Sequence, residues 1–315
     1  MGPSFLMLRT NMSKTALITL AALLAIIGVI AVITSRAEPP RQVQAKPAYP
    51  AHIELAMYQR GDDWQKKYPT VVAAETQNFG LNFYKAMNFD PNALPSVTIN
   101  AGETKTVIPK VLSISATEEK NRSPEIISIF ITARVKNGGA MSHDEARLYI
   151  LDLIEKFTAL GWKTAFSFNK PRLSGIHALN YYGADDLDPN YKLSFAEWMQ
   201  LDGSLNWELY LNHTYMRVTV DRDQDHLDPN KPGAYIMSFT IEPHEEVQRM
   251  YVDEKERDHW RQLWIPIARK LRSERNIKEA TLKAQGIPIV SDYKDPELPP
   301  APPGQQNPVI PKDLQ

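Results

Sequence analysis

The sequence predicts an α+β protein, a mainly antiparallel sheet with helices packed on it, set behind a single N-terminal transmembrane helix. Three observations carry that prediction. An uncharged apolar run stands near the N-terminus, β-branched alternating runs recur and are joined by hairpin-type turns, and two capping boxes open helices between them.

The run is Thr15–Thr34, twenty residues without a charge, a proline or an aromatic ring. About twenty such residues are what an α-helix needs to cross ~30 Å of hydrocarbon. The competing reading is a cleaved export signal, with Ser35-Arg36-Ala37 as a poor small-residue site before Glu38. Its length exceeds the usual apolar region of such signals, which favours an uncleaved anchor. Flanking charges do not set orientation, because Arg9 and Lys14 before the run are matched by Arg36, Arg41 and Lys46 after it. The large C-terminal part is expected to be the translocated side. This gives a cytoplasmic tip at 1–14, a single-pass anchor at 15–34 in a bacterial inner membrane, and a C-terminal domain in the periplasm.

Composition narrows the function classes. A net charge of −1 offers no electrostatic case for nucleic acid. The chain has no cysteine, which excludes disulfides, thiolate metal sites and cysteine nucleophiles, and for an exported domain points to a bacterial periplasm.

After a Pro-rich linker at 35–51, an α+β domain is predicted over 52–286, either whole or as a small 52–103 subdomain followed by a 104–286 main domain. His52–Tyr58 alternates weakly, as an edge strand does. TVIPKVLSIS, from Thr106, and PEIISIFITARVK read as a strand pair joined by the polar segment Thr117–Ser123. Ser142-His143-Asp144-Glu145 is a capping box opening a helix over Asp144–Leu160, closed by Gly161. Trp162–Phe168 alternates as a strand, and a short helix is expected around Ile176–Tyr182. A second capping box, Ser194 to Glu197, starts a helix carrying Trp198 and Met199. Leu205–Leu211 and Tyr215–Val220 alternate around Asn212-His213-Thr214 as a hairpin, and Tyr235–Ile241 adds a further strand. Asp253 to Glu256 caps a last helix with Trp260, Trp264, Ile267 and Leu271 on one stripe, and Pro266 should kink or divide it. The proline-rich segment 287–315 is expected to be disordered.

Candidate sites are few. Asp221, Asp223 and Asp225 have the 1, 3, 5 carboxylate spacing of a calcium loop, but His226 and Pro232 stand where an EF-hand has its glycine and glutamate. A solvated acidic loop is the plainer reading, and an irregular cation site of Asp221, Asp223, Asp225 and Asp228 the sharper one. Gly138-Gly139 reads as a structural turn, since no phosphate-loop pattern surrounds it. Seven histidines are scattered without a metalloprotease or nucleophile-elbow motif. No cofactor and no catalytic residue is assigned. Trp260 and Trp264, on a helix crowded with charge, are either core or, with Arg261, a partner-facing stripe; Asp223 and Asp225 are the companion guesses for a protein partner.

At Gly161-Trp162-Lys163, Lys170–Gly175, Leu193–Met199 and Asp228–Tyr235 the chain resembles a group of proteobacterial envelope proteins encoded beside phospholipase effectors of the type VI secretion system. The likeness spans about residues 140 to 295. It implies an immunity protein that binds a lipase-type effector toxin and neutralises it by stoichiometric occlusion of its active-site face. A non-catalytic accessory or scaffold protein of an envelope or secretion complex is the alternative. An anchored hydrolase is the third reading, and it would need a compact set of histidines and carboxylates in the fold.

Overall fold

A computed structural model describes residues 49–77, 80–120, 122–136 and 139–314. Its order is β1 (His52–Ala56), α1 (Gly61–Lys67), β2 (Val72–Thr76), β3 (Leu81–Ala86), β4 (Ser96–Ala101), β5 (Thr104–Ile108), β6 (Val111–Glu119), β7 (Ser123–Arg134) and α2 (His143–Ala159). Then come β8 (Lys163–Thr164), α3 (Gly175–Tyr182), α4 (Phe195–Gln200), β9 (Leu205–Leu211), β10 (Thr214–Arg222), β11 (Tyr235–Pro243), α5 (His244–Arg249) and α6 (Trp260–Ala284).

The strands form an eight-stranded sheet of order β2-β3-β6-β7-β11-β10-β9-β8 and a three-stranded sheet of order β1-β4-β5. The large sheet is antiparallel throughout, and the parallel pair β1/β4 lies in the small one. One face of the large sheet is apolar, with Ile114, Ile131, Trp207, Met216, Val218 and Phe239 all buried. Against it pack Ala146, Ile150, Ile154 and Phe157 of α2, Trp64 of α1, and Ile53, Val97 and Ile99 of the small sheet. The period-2 alternation of the strands and the 3.6 period of α2 thus meet in one core.

Both capping boxes form as read. The Ser142 and Ser194 side chains each accept from the amide of the third helical residue, while Glu145 and Glu197 reach back to the cap amide. The hairpin at Asn212 closes with that residue at φ 52°, and the expected strands around it are β9 and β10. The TVIPKVLSIS run is not one strand. It divides after Ile108, its first half going to the small sheet and its second to the large one. Lys110, at φ 57°, makes the turn. Nor is 52–103 a separate subdomain. Strands β2 and β3 belong to the large sheet, and residues from Pro47 to Gln315 form one unit. Pro266 does not divide α6, a single 25-residue helix that forgoes one backbone bond at that point.

The membrane anchor is corrected. No helix among the described residues is long and apolar enough to cross a membrane. The longest, α6, carries Arg261, Arg269, Lys270, Arg272, Arg275 and Lys278 along its length. Thr15–Thr34, on which the transmembrane helix and the single-pass inner-membrane placement rested, lies outside the described residues, as do the tip at 1–14 and most of the linker. The described residues give the fold class as α+β with a large antiparallel sheet, and none of their helices is a membrane span.

The proline-rich tail is corrected too. Residues 287–314 form a strap laid along α6 and the end of the sheet. Leu298, Ile310 and Leu314 join Phe168, Val252, Trp260, Trp264 and Ala268 in a second apolar cluster. Tyr293 stacks edge-on against Phe166 at 4.9 Å, and the Glu297 carbonyl accepts from His213 and His244. Proline lowers the entropy of the unfolded strap, so these side-chain anchors suffice to order it without a strand ladder.

One close approach is sensitive to a single atom. The Gly61 amide donates to the buried carboxylate of Glu118 at 2.6 Å, and a Cβ at Gly61 would overlap the Tyr84 ring. That ring is buried and tied to Asp62 through its hydroxyl at 2.7 Å, so it cannot yield. Gly61→Ala is expected to destabilise the protein by about 1–3 kcal/mol, read as a lower melting temperature. An unchanged melting temperature would show that the ring moves aside.

Candidate functional site: the polar face of the large sheet

In-register partners in a sheet point to the same face, so the ladders define what the second face of the large sheet displays. One row runs Lys85, Ser115, Phe130, Thr240, Arg217, Glu208 across β3, β6, β7, β11, β10 and β9. The next carries Phe83, Thr117 and Ser128, then Glu242, Tyr215 and Tyr210. A third runs Ser113, Thr132, Ser238, Thr219, Asn206. All of these side chains keep some solvent access, while most of their sequence neighbours on the other face are buried. The main apolar cluster lies on that other face, while the strap and α5 cover one end of this one, where Tyr293 packs on Tyr210 and His244 on Tyr215.

The charges on the open face gather at the β9–β11 side. Arg217 donates to Glu208 across the ladder at 2.6 Å, and this carboxylate raises the guanidinium's pKa. Beside them Lys170 donates to Asp186 at 3.2 Å. Burial lifts the Asp186 carboxyl to about 6, against the pull of Lys170. Glu242 takes only a long bond from the Ser128 hydroxyl, 3.5 Å, and burial followed by the nearby Glu246 lifts it to about 7. Next to this group, at the β6–β7 turn, an ionic network ties α5 to the sheet. Arg122 pairs with Glu246 and Arg249 with Glu119, the latter at 2.5 Å.

Perturbed carboxylates often mark functional sites. Here Asp186 meets Lys170, and Glu242 meets the hydroxyl of Ser128. Among the described histidines the parts of a Ser/His/Asp set fall on different residues. His52 meets the hydroxyls of Ser96 at 2.9 Å and Thr98 at 3.0 Å, whereas the carboxylate of Asp223 meets His226. His143 is held by Tyr235 and the Asp228 carbonyl, and His244 by Gln248 and the Glu297 carbonyl.

No family model, curated protein or solved structure matches the chain.

The residues singled out from the sequence fall in two places, the buried cluster under α6 and the exposed loop after β10. Trp260 and Trp264 are buried, each about 2% exposed, and face the strap and Phe168 rather than a partner. Arg261 lies over the Trp260 ring at 4.5 Å and donates to Gln305 and Asn307 of the strap. The helix-borne stripe is thus consumed within the chain. Asp223 and Asp225 are exposed, with Asp223 accepting from the Asp225 amide. The four loop aspartates do not converge. Asp221 accepts from Ser204, Asp223 meets His226, and Asp228 holds the Asn230 amide and Lys231. No group of three or more His, Asp or Glu among the described residues is placed to hold a metal ion. Of the Gly138-Gly139 turn only Gly139, at φ 82°, is described. The face itself was missed because its residues come from six strands far apart in sequence. Its only linear trace is the alternation of Ser, Thr and Asn with apolar residues in β6, β7 and β9–β11.

Proposed function

We propose that the chain is a non-catalytic protein-binding module that docks its partner on the uncovered, hydroxyl-rich part of the second face of the large sheet. The sequence resemblance names the partner class, a lipase-type effector toxin of the type VI secretion system, which the chain neutralises by stoichiometric occlusion. The observation that carries the docking face is its composition. A solvated sheet face is ordinarily rich in Lys and Glu, whereas the middle of this one is Ser115, Thr117, Ser128, Phe130, Thr132, Ser238 and Thr240. Depletion of charge around an aromatic centre, with charges such as Arg217 and Glu208 to one side, is the pattern of an interface core and rim. Short hydroxyl side chains held in strands also lose little conformational freedom on binding.

The test uses the full chain and a purified lipase-type effector from the same cell, with calorimetry for binding and phospholipid hydrolysis for toxin activity. A one-to-one complex with loss of hydrolysis is expected. Phe130→Glu and Thr240→Arg should each weaken binding roughly tenfold or more while leaving the melting temperature near that of the parent. A complex that keeps full lipase activity would replace the inhibitor with an accessory protein that escorts the effector. Equal binding by both variants would remove the docking role of this face.

A further inference from the structure

Arg275 projects from α6 into the contact between that helix, the segment around Arg172 and the strap. It is 0% exposed, and none of its three guanidinium nitrogens has a hydrogen-bond partner among the described residues. Two further guanidinium groups stand around it. Arg172 is committed to Glu279, donating to both carboxylate oxygens at 2.9 and 2.8 Å. Arg272 donates to the strap carboxylate of Asp295 at 2.7 Å and to the Leu314 carbonyl at 3.0 Å. Asp295 is the opposite charge that acts most strongly on Arg275, yet its second oxygen is buried and also unpartnered. All three arginines act on Asp295, and two of them also repel Arg275.

The charges do not balance. Arg172, Arg272 and Arg275 face Glu279 and Asp295, leaving one buried cation without compensation. A guanidinium is planar, always charged and offers five donors, so a dry site leaves all five unsatisfied. Breaking or omitting one partner of a buried ion pair is among the largest single penalties a fold can carry. A tetrahedral oxyanion would supply the missing charge and several acceptor oxygens at once, and fork-like recognition of such groups is what arginine does best.

We infer that Arg275, Arg272 and Arg172 form a binding site for a small oxyanion, phosphate or sulfate, beneath the C-terminal strap, with Asp295 as a resident carboxylate that partly fills it. The strap is therefore the cover of an anion site, and the anion fastens the strap to α6. Asp295 competes with the ligand, so its neutralisation favours binding.

The experiment is thermal unfolding of the full chain titrated with sodium phosphate, against sodium chloride matched in ionic strength. Phosphate should raise the melting temperature saturably, by about 5 °C at high occupancy, beyond the chloride effect. Arg275→Met should abolish the phosphate-specific shift, while Arg269→Met, at the exposed pair with Asp313, should keep it. Asp295→Asn should move the midpoint of the phosphate titration at least threefold lower. A phosphate curve that overlays chloride, or an undiminished shift in Arg275→Met, overturns the inference. Should Arg275→Met fail to fold, Asp295→Asn decides alone. An unchanged or higher midpoint then shows that Asp295 is a structural latch closing directly on Arg275.

Discussion

Trp264→Ala will lower the stability of the protein by about 3–5 kcal/mol and release the C-terminal strap, as measured by denaturant unfolding and by proteolysis of the tail. The indole is fully enclosed, with the Phe168 ring at 4.8 Å and the Tyr251 ring at 6.2 Å, both tilted or edge-on. Truncation to alanine removes an indole's worth of contacts and leaves a void that α6, α5 and the strap cannot all collapse into. Leu298, Ile310 and Leu314 hold the strap through this same cluster, so their anchoring falls with it. The partner-stripe reading predicts the opposite pattern, with stability unchanged and effector binding lost. If Trp264→Ala unfolds like the parent, that reading returns and the burial assigned to the cluster is wrong.

The same tryptophans show where the sequence is informative and where it is silent. Trp260, Trp264, Ile267 and Leu271 do recur on one helix face, and α6 forms through them. Whether such a face is covered from within or by a partner depends on a segment that carries no periodic signal. The strap is such a segment. Its composition of prolines and polar residues reads as disorder, because sequence rules weigh apolar content and miss three well-spaced anchors, Leu298, Ile310 and Leu314. The capping boxes at Ser142 and Ser194 were legible because the motif is contained in four residues and its geometry is local. The division of TVIPKVLSIS between two sheets was not legible. Both halves are β-branched, and the run itself does not say that the first folds back on β4 while the second pairs onward with β7. The candidate face is likewise a product of register, since Phe130, Thr240 and Arg217 become neighbours only when three strands align.

Stability will fall as pH rises from about 4.5 to 7, and Glu242→Gln will remove the steepest part of that fall. The sign follows from proton counts in the two states. Glu242 holds its proton to about 7 in the folded protein and to 4.5 when exposed, so within that window the folded state binds the extra proton. Its contribution is complete below the unfolded value and is lost through the folded one. Asp186 acts in the same sense between 3.8 and about 6. His244 opposes them. Burial lowers it to about 4 from 6.5, so the unfolded chain takes up its proton over that range. Among these three groups, two carboxyls against one imidazole leave one excess proton on the folded state between 4.5 and 6, a loss of stability with rising pH to which the raised carboxyls of Glu245 and Asp295 add in the same sense. From 6 to 6.5 Glu242 and His244 nearly cancel, and above 6.5 Glu242 is the one of the three still titrating. At about 1.4 kcal/mol for each tenfold change in proton affinity, Glu242 accounts for on the order of 3 kcal/mol. Glu242→Gln keeps the shape and the acceptor for Ser128 but cannot ionise, so near pH 8 it should be more stable than the parent by that order, and near pH 4 about equal to it. Denaturant unfolding at pH 4 and pH 8 measures both differences. Equal stabilities of the two proteins at pH 8 would mean that Glu242 ionises freely, with water reaching it along the open face of the sheet.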